Sequence, residues 1–283
     1  MIEREVTLTS GSVAVLEAGD GGKPLLLVHG FTGAKEDFGW NAGGEEFAYV
    51  DRLAAHGWHV VSPDLWGHGS STHLADESAY SLDVFVDQML DLADHLGWHR
   101  FTLLGHSMGG MIAQVLVLRD PSRIVALTLM DTCAGTVPGA IPEIVELGQS
   151  IARDGGMHLI AALSAEAGVG SNEADQRLRA DRADYLAYCD AKTMSSDPAM
   201  FAGMLGRLAV EPDRTGDLRA LSIPTQVICG SLDEWMLTES QQLADAIPGA
   251  RFDLIDGGGH CPQFESPQLW WEAFNGFLGN VPA

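Results

Sequence analysis

The chain has 283 residues, 46% of them hydrophobic, enough to bury a large core in one sizeable α/β domain or two small ones. Its formal net charge of −23 repels nucleic acid and anionic membrane surfaces and disfavours a strongly anionic substrate. The opening Met1-Ile2-Glu3-Arg4-Glu5 is charged and no run approaches the roughly 18 apolar residues of a membrane span, so a cytoplasmic protein is expected. Cys133, Cys189, Cys229 and Cys261 lie far apart without metal spacing and read as reduced thiols; a Cys229–Cys261 bridge is the alternative.

In chain order, Glu5 to Leu8 and Val13 to Glu17 alternate as an edge hairpin. Leu25 to Val28 is a buried strand of parallel type, ending in the glycine-flanked turn His29-Gly30-Phe31-Thr32-Gly33. His29 is expected to fix that turn with its ring. Glu46 to His56 has a helical pattern, and His59 to Ser62 is the next strand. In Asp64-Leu65-Trp66-Gly67-His68-Gly69-Ser70, Asp64 and the glycines read as a structural turn. Leu82 to Leu96 is helical. His95 and His99 have i,i+4 spacing, but Gly97 between them marks a helix end, which argues against a metal site.

Leu103-Leu104-Gly105-His106-Ser107-Met108-Gly109-Gly110 is the most informative segment. One serine stands between glycines, after the strand-like Phe101 to Leu104 and before the helix-like Met108 to Arg119. Strand, G-x-S-x-G and helix together form a nucleophile elbow. A serine hydroxyl is a weak nucleophile and needs an exposed position within reach of a base. Gly105 and Gly109 leave room for the sharp turn, and the helix start presents free N–H groups to any oxyanion beside the serine. His106 reads as a packing or hydrogen-bonding residue rather than a base.

Ile124 to Met130 is a further strand, ending at Asp131. Residues 134–210 contain no strand-like run and read as several helices with Gly and Pro joints. Thr225 to Cys229 is a strand followed by Gly230-Ser231-Leu232-Asp233-Glu234. Arg251 to Ile255 is a strand followed by Gly257-Gly258-Gly259-His260. Glu239 to Ala246 and Pro267 to Leu278 are helical. The alternation predicts a doubly wound, mostly parallel sheet. The turn, Ser107, Asp233 and His260 each lie just past the C-terminal end of a strand, where ligands bind in open parallel sheets. No other cluster has metal-ligand spacing, and neither glycine cluster (19–22 and 257–259) is a dinucleotide fingerprint, so no cofactor or metal is expected.

The turn, the Asp64-to-Ser70 segment, the elbow, Asp233 and His260 together make the sequence resemble the α/β-hydrolase superfamily over nearly its whole length. The resemblance implies a core of residues 1–133 and 211–283, with 134–210 a helical cap inserted after the sixth core strand. Ser107 then attacks a carbonyl carbon, His260 takes and returns its proton, Asp233 orients His260, and the N–H groups of Phe31 and Met108 hold the oxyanion. Some members of the superfamily carry their acid where Asp131 stands, but Asp233 has the commoner setting.

For substrate, Met157, Met200 and Met204 are expected to line an apolar pocket, while most of Leu159, Ile160, Leu163, Met194, Phe201 and Leu205 pack the cap on the core. Phe38 and Trp40 are expected to flank its entrance. This suits a small to medium uncharged ester. A carbon–carbon bond hydrolase, a lactonase and a cofactor-free perhydrolase would use the same residues; a non-catalytic ligand receptor is more remote. The turn also looks like that of enzymes of menaquinone synthesis that eliminate pyruvate. Those bind a polyanion through arginines, which this acidic chain fits poorly. Epoxide hydrolases and haloalkane dehalogenases need an aspartate where Ser107 stands. Oligomeric state is not readable.

Overall fold

A computed structural model of the chain describes residues 1–40, 43–167 and 172–282. Eight strands form one sheet: β1 (Ile2–Leu8), β2 (Gly11–Ala18), β3 (Lys23–Val28), β4 (Trp58–Pro63), β5 (Phe101–His106), β6 (Ile124–Met130), β7 (Thr225–Gly230) and β8 (Arg251–Ile255). Their order is β1-β2-β4-β3-β5-β6-β7-β8. The β1–β2 and β2–β4 pairs are antiparallel and the rest parallel.

The strand cores are apolar on both faces because helices cover both. Along β3, Leu25 and Leu27 pack to one side with Val60, Leu104, Trp270 and Phe274. Leu26 and Val28 pack to the other with Val61, Leu103, Met111 and Leu116. The first layer is closed by α1 (Tyr49–Ala55) and a C-terminal helix, Pro267–Leu278. The second is closed by α2 (Leu82–His95), α3 (Met108–Arg119) and the helix Leu237–Ala246. The predicted helix Glu46 to His56 is shorter than expected. Glu45–Phe47 is a single tight turn, and Ala48, at φ −80° and ψ 57°, separates it from α1.

After β3 the chain runs outward to β4 and returns across it to β5. The switch point of the sheet therefore lies between β3 and β5, and a crevice opens beyond their C-terminal ends. Between β6 and β7 the chain leaves the sheet for α4 (Pro142–Ala167), α5 (Glu173–Asp181), α6 (Ala183–Met194), α7 (Pro198–Leu208) and the short α8 (Thr215–Leu218). Two of the joints are the expected Gly and Pro ones, whereas α5 and α6 meet at Arg182 and the joint between α4 and α5 lies largely outside the described residues. α4 is interrupted at Gly156, with φ 67°, and α7 starts on Pro198 with Asp197 capping the N–H groups of Ala199 and Met200. The chain closes with α9 (Leu237–Ala246), β8, α10 (Pro262–Glu265) and α11 (Pro267–Leu278). No described helix is long and apolar enough to cross a membrane. All four cysteines are free, so the Cys229–Cys261 bridge does not form.

Candidate active site

Three non-glycine residues among those described have positive φ: Thr32 at 56°, Ser107 at 53° and Asp131 at 46°. They stand just past the ends of β3, β5 and β6, so the backbone strain of the chain is concentrated along one edge of the sheet. At Ser107 the strain is built in by close approach. A Cβ on Gly105 would lie 2.2 Å from the Gly109 carbonyl oxygen, and one on Gly109 would lie 2.4 Å from that of Val28. The turn is braced by Ser107 N–H donating to Met130 O at 2.8 Å and by the Thr132 hydroxyl donating to Ser107 O at 2.7 Å.

Ser107 Oγ lies 3.0 Å from His260 Nε2, and His260 Nδ1 lies 2.7 Å from Asp233 Oδ2. Three segments far apart in sequence thus converge on one hydrogen-bonded line. Burial alone would lower the pKa of His260, but the hydrogen bond and charge of Asp233 outweigh it and hold the ring above its ordinary 6.5. Burial would raise Asp233; its bond to His260 and a hydrogen bond from Asp131 hold it below 3.8. His106 donates from Nε2 to the His260 carbonyl at 2.7 Å. Its own burial lowers its pKa to about 3, so it is a neutral brace under the histidine, as its sequence context suggested.

The turn after β3 is fixed by His29. Its Nδ1 lies 2.8 Å from Gly30 O and its Nε2 accepts from Leu65 N–H at 3.0 Å, which places the proton on Nδ1. Gly30 O also accepts from Gly33 N–H. In a trans peptide the C=O and N–H point opposite ways, so pinning Gly30 O turns the Phe31 N–H away from the turn's interior. Neither that N–H nor the one at Met108, the first residue of α3, has a hydrogen-bond partner among the described residues. Asp64 is the structural strut its sequence suggested. Its carboxylate accepts from Lys35 N–H at 2.8 Å and from the Lys35 ammonium and Ser70 N–H at 3.2 Å.

Asp131 does not touch His260. It is fully buried; Oδ1 accepts from Gly230 N–H at 2.8 Å, and Oδ2 meets no N–H or O–H donor among the described residues. Burial, then the charge of Asp233, pushes its carboxyl well above the usual range, which favours the protonated form beside the Asp233 anion. Ligand atoms of Asp131, Cys229 and Asp233 lie within 4.8 Å of one another. A metal there would need both Asp131 and Cys229 deprotonated, whereas burial raises the pKa of each and Asp233 is committed to His260.

The expected substrate contacts fare differently. Phe38 does not flank an entrance: it is fully buried against Trp270 in the layer closed by α1 and α11. Trp40 is 5% exposed, enclosed by Phe47, Tyr185, Tyr188 and Phe264. Met200 and Met204 are 0% exposed and Met157 is 4%. They pack the inserted helices on the core and present almost no surface to a pocket. Phe201 of the inserted helices does meet the turn, stacked on Phe31 with ring centroids 4.9 Å apart. Sequence reading also missed Asp37, Asn172, Tyr188, Lys192 and Glu265, which bond to one another around this site.

Residues 23–156 match the family model for the alpha/beta hydrolase fold. The chain is 25% identical to a protein of Bacillus subtilis (strain 168) provisionally named 2-succinyl-6-hydroxy-2,4-cyclohexadiene-1-carboxylate synthase, over 98% of each chain. It is similar to the structure of a thermophilic esterase from Thermogutta terrifontis, with 27% identity, all of both chains covered and a TM-score of 0.82. It shares its fold with the enol-lactonase from Burkholderia xenovorans LB400, at 23% identity and a TM-score of 0.82 over 98% of this chain and 100% of that one. With its eight-stranded, mostly parallel sheet and its serine on the turn after β5, the chain has the alpha/beta hydrolase fold.

Proposed function

We propose that the protein hydrolyses small to medium uncharged carboxylic esters through an acyl-enzyme on Ser107. The observation that carries this reading is the line Ser107 Oγ–His260 Nε2–Nδ1–Asp233 Oδ2, with links of 3.0 and 2.7 Å, beside two backbone N–H groups that have no partner among the described residues. His260, neutral with its proton on Nδ1, accepts the Ser107 proton as Oγ bonds to the ester carbon. The carbonyl oxygen becomes an oxyanion held by the N–H groups of Phe31 and Met108. Collapse of this adduct breaks the C–O bond, and His260 gives its proton to the departing alcohol. Water then adds to the acyl carbon, losing a proton to His260, and the acid leaves as Ser107 recovers its hydrogen.

The charge pattern supports an uncharged substrate. Of the six Lys and Arg residues in 134–210, Arg153, Arg179, Arg182 and Lys192 are already paired with a carboxylate, which leaves Arg177 and Arg207. This weighs against the carboxylate-bearing compound in the name of the Bacillus relative. We read residues 134–210 as a cap over the crevice, and the protein as cytoplasmic, in keeping with four free thiols.

The test is release of p-nitrophenol from short acyl esters with turnover, alongside labelling by a fluorophosphonate. Label is expected on Ser107 alone, and Ser107→Ala should lose both label and turnover, the latter by about 10⁴-fold or more. Label on another serine, or turnover kept in the alanine variant, would overturn the assignment. A panel of lactones and vinylogous diketones in the same assay separates C–O from C–C cleavage.

A further inference from the structure

The two loops that hold the reacting groups each rest on a carboxylate, Asp37 buried and Glu265 half-buried, whose two oxygens bond in different directions. Asp37, 2% exposed, uses Oδ2 to accept from Ala34 N–H at 3.2 Å, at the end of the turn that carries Phe31. Its Oδ1 accepts from the Tyr188 hydroxyl at 2.6 Å and the Lys192 ammonium at 2.7 Å, both on α6. Glu265 uses Oε2 to accept from Gly259 N–H at 2.6 Å and Cys261 N–H at 3.1 Å, the residues on either side of His260. Its Oε1 accepts from Asn172 Nδ2 at 3.1 Å. Asn172 is itself the N-cap of α5, its Oδ1 accepting from the N–H groups of Ala174 and Asp175. Each carboxylate therefore has one oxygen on a loop backbone and the other on the α5–α6 pair.

The steric fit is as close as the polar one. A Cβ on Gly259 would lie 1.8 Å from Asn172 Nδ2, so the histidine loop runs directly against the start of α5. Tyr185 and Tyr188 of α6 pack on Trp40 and Phe264, which places an aromatic layer between the two anchors. Burial would raise the pKa of Asp37, but the charge of Lys192 leads the opposing causes and holds it at about 2, so Asp37 is an anion at any working pH. A buried anion stripped of its partners is costly. Lifting α6 away would therefore disturb the Asp37–Ala34 bond and the turn behind it.

We infer that Asp37 and Glu265 are positioning residues that clamp the oxyanion turn and the histidine loop to the α5–α6 pair, so that the seating of this pair sets the geometry of both. The clamp is read from contacts alone; its consequence for turnover rests on the ester hydrolase reading. A site held by loops needs such support, since displacement of a reacting group by about 1 Å can cost 10²-fold in rate.

The experiment uses the full chain and alters only the α5–α6 side of each anchor: Lys192→Met, Tyr188→Phe and Asn172→Ala, with Lys192→Arg as the conservative replacement. Hydrogen exchange of the folded protein, read by mass spectrometry, reports the clamp without any need for activity. Lys192→Met is expected to speed exchange in the segment 29–38, and Asn172→Ala in the segment 256–266, each by about tenfold or more. Tyr188→Phe should act as a weaker Lys192→Met, and Lys192→Arg should restore protection. On p-nitrophenyl acetate, Lys192→Met and Asn172→Ala should each lower kcat about tenfold while KM moves by less than about twofold. Unchanged exchange in both segments overturns the clamp. Faster exchange with unchanged kcat overturns the positioning role. Faster exchange in a protein whose wild type turns over no ester leaves the clamp standing and rejects the ester hydrolase reading instead.

Discussion

The ends of β6 and β7 lie side by side in one parallel sheet, and each presents an aspartate. Asp131 follows β6 directly; its N–H donates to Ile228 O at 2.9 Å, so it stays level with the sheet and points its carboxyl sideways at Gly230 N–H. Asp233 stands three residues beyond the end of β7, in a turn pinned by Asp233 N–H to Gly230 O and Leu232 N–H to Gly258 O. That turn lifts its carboxylate to the level of the histidine loop. The two residues are chemically identical and close in space. Height above the strand end decides which one meets His260, and the same difference decides charge. Paired with an imidazole, Asp233 has its pKa lowered; enclosed beside an anion, Asp131 has its pKa pushed well up, toward the protonated form.

The largest effect that could break this contrast is expected at Asp233. Asp233→Asn keeps the size of the side chain but removes the charge that holds the Nδ1 tautomer of His260, and the equivalent change in serine proteases costs about 10⁴-fold in kcat. A loss of at least about 10²-fold is expected here. Asp131 can soften the loss only by giving up its proton, and the Asp131→Asn/Asp233→Asn double variant should then be slower than Asp233→Asn. If Asp131→Asn proved the more damaging single change, the two roles would have to be exchanged.

The pH profile separates the same two residues by a smaller margin. His260 must be neutral to accept the Ser107 proton, and Asp233 holds its pKa above 6.5. kcat/KM should therefore fall about tenfold per pH unit on the acid side of a midpoint above 6.5. Asp233→Asn removes the chief cause of the raised value, so the midpoint should move to lower pH in whatever activity remains. Asp131→Asn should leave it in place. A midpoint at or below 6.5 in the unmodified protein would mean that another group acts as base.

The comparison also shows what a sequence can and cannot disclose. The elbow was readable because its requirement is local: Gly105 and Gly109 are demanded by atoms within a few residues or on the next strand. The alternation of buried strands and helices, and the order of turn, serine, aspartate and histidine, are likewise written along the chain. Asp233 was preferred over Asp131 for its commoner setting, and the physical difference behind that preference is the longer turn that carries Asp233 beyond β7. The α5–α6 anchors follow from nothing local. Asp37 and Lys192 are 155 residues apart, and each looks like an ordinary surface charge until the chain is folded. Phe38 and Trp40 were misplaced for a related reason. Two aromatics just past a reactive turn can face the crevice or either packed layer, and the single tight turn of Lys35–Phe38 sends Phe38 toward Trp270. Methionines in a helical insertion suggested pocket walls, yet packing the helices down consumes them first.

The smallest expected effect is the sharpest test of the contrast. A neutral carboxylic acid and a carboxamide have nearly the same shape; both can accept from Gly230 N–H and donate to Asp233. If Asp131 is neutral, Asp131→Asn should change kcat by no more than about threefold. The sign of its effect on stability is also fixed. The folded state binds the Asp131 proton more tightly than the unfolded chain does, so between the unfolded pKa near 3.8 and the raised folded value this residue makes stability fall as pH rises. Asparagine removes that slope. Thermal or urea unfolding should find Asp131→Asn equal to the wild type near pH 4 and at least as stable near pH 7. Asp131→Ala, which leaves Gly230 N–H unpaired, should cost about 1–3 kcal/mol at both. An asparagine variant that instead loses stability as pH rises, relative to the wild type, would show Asp131 to be an anion in the fold, and the two strand ends would then differ in position but not in charge.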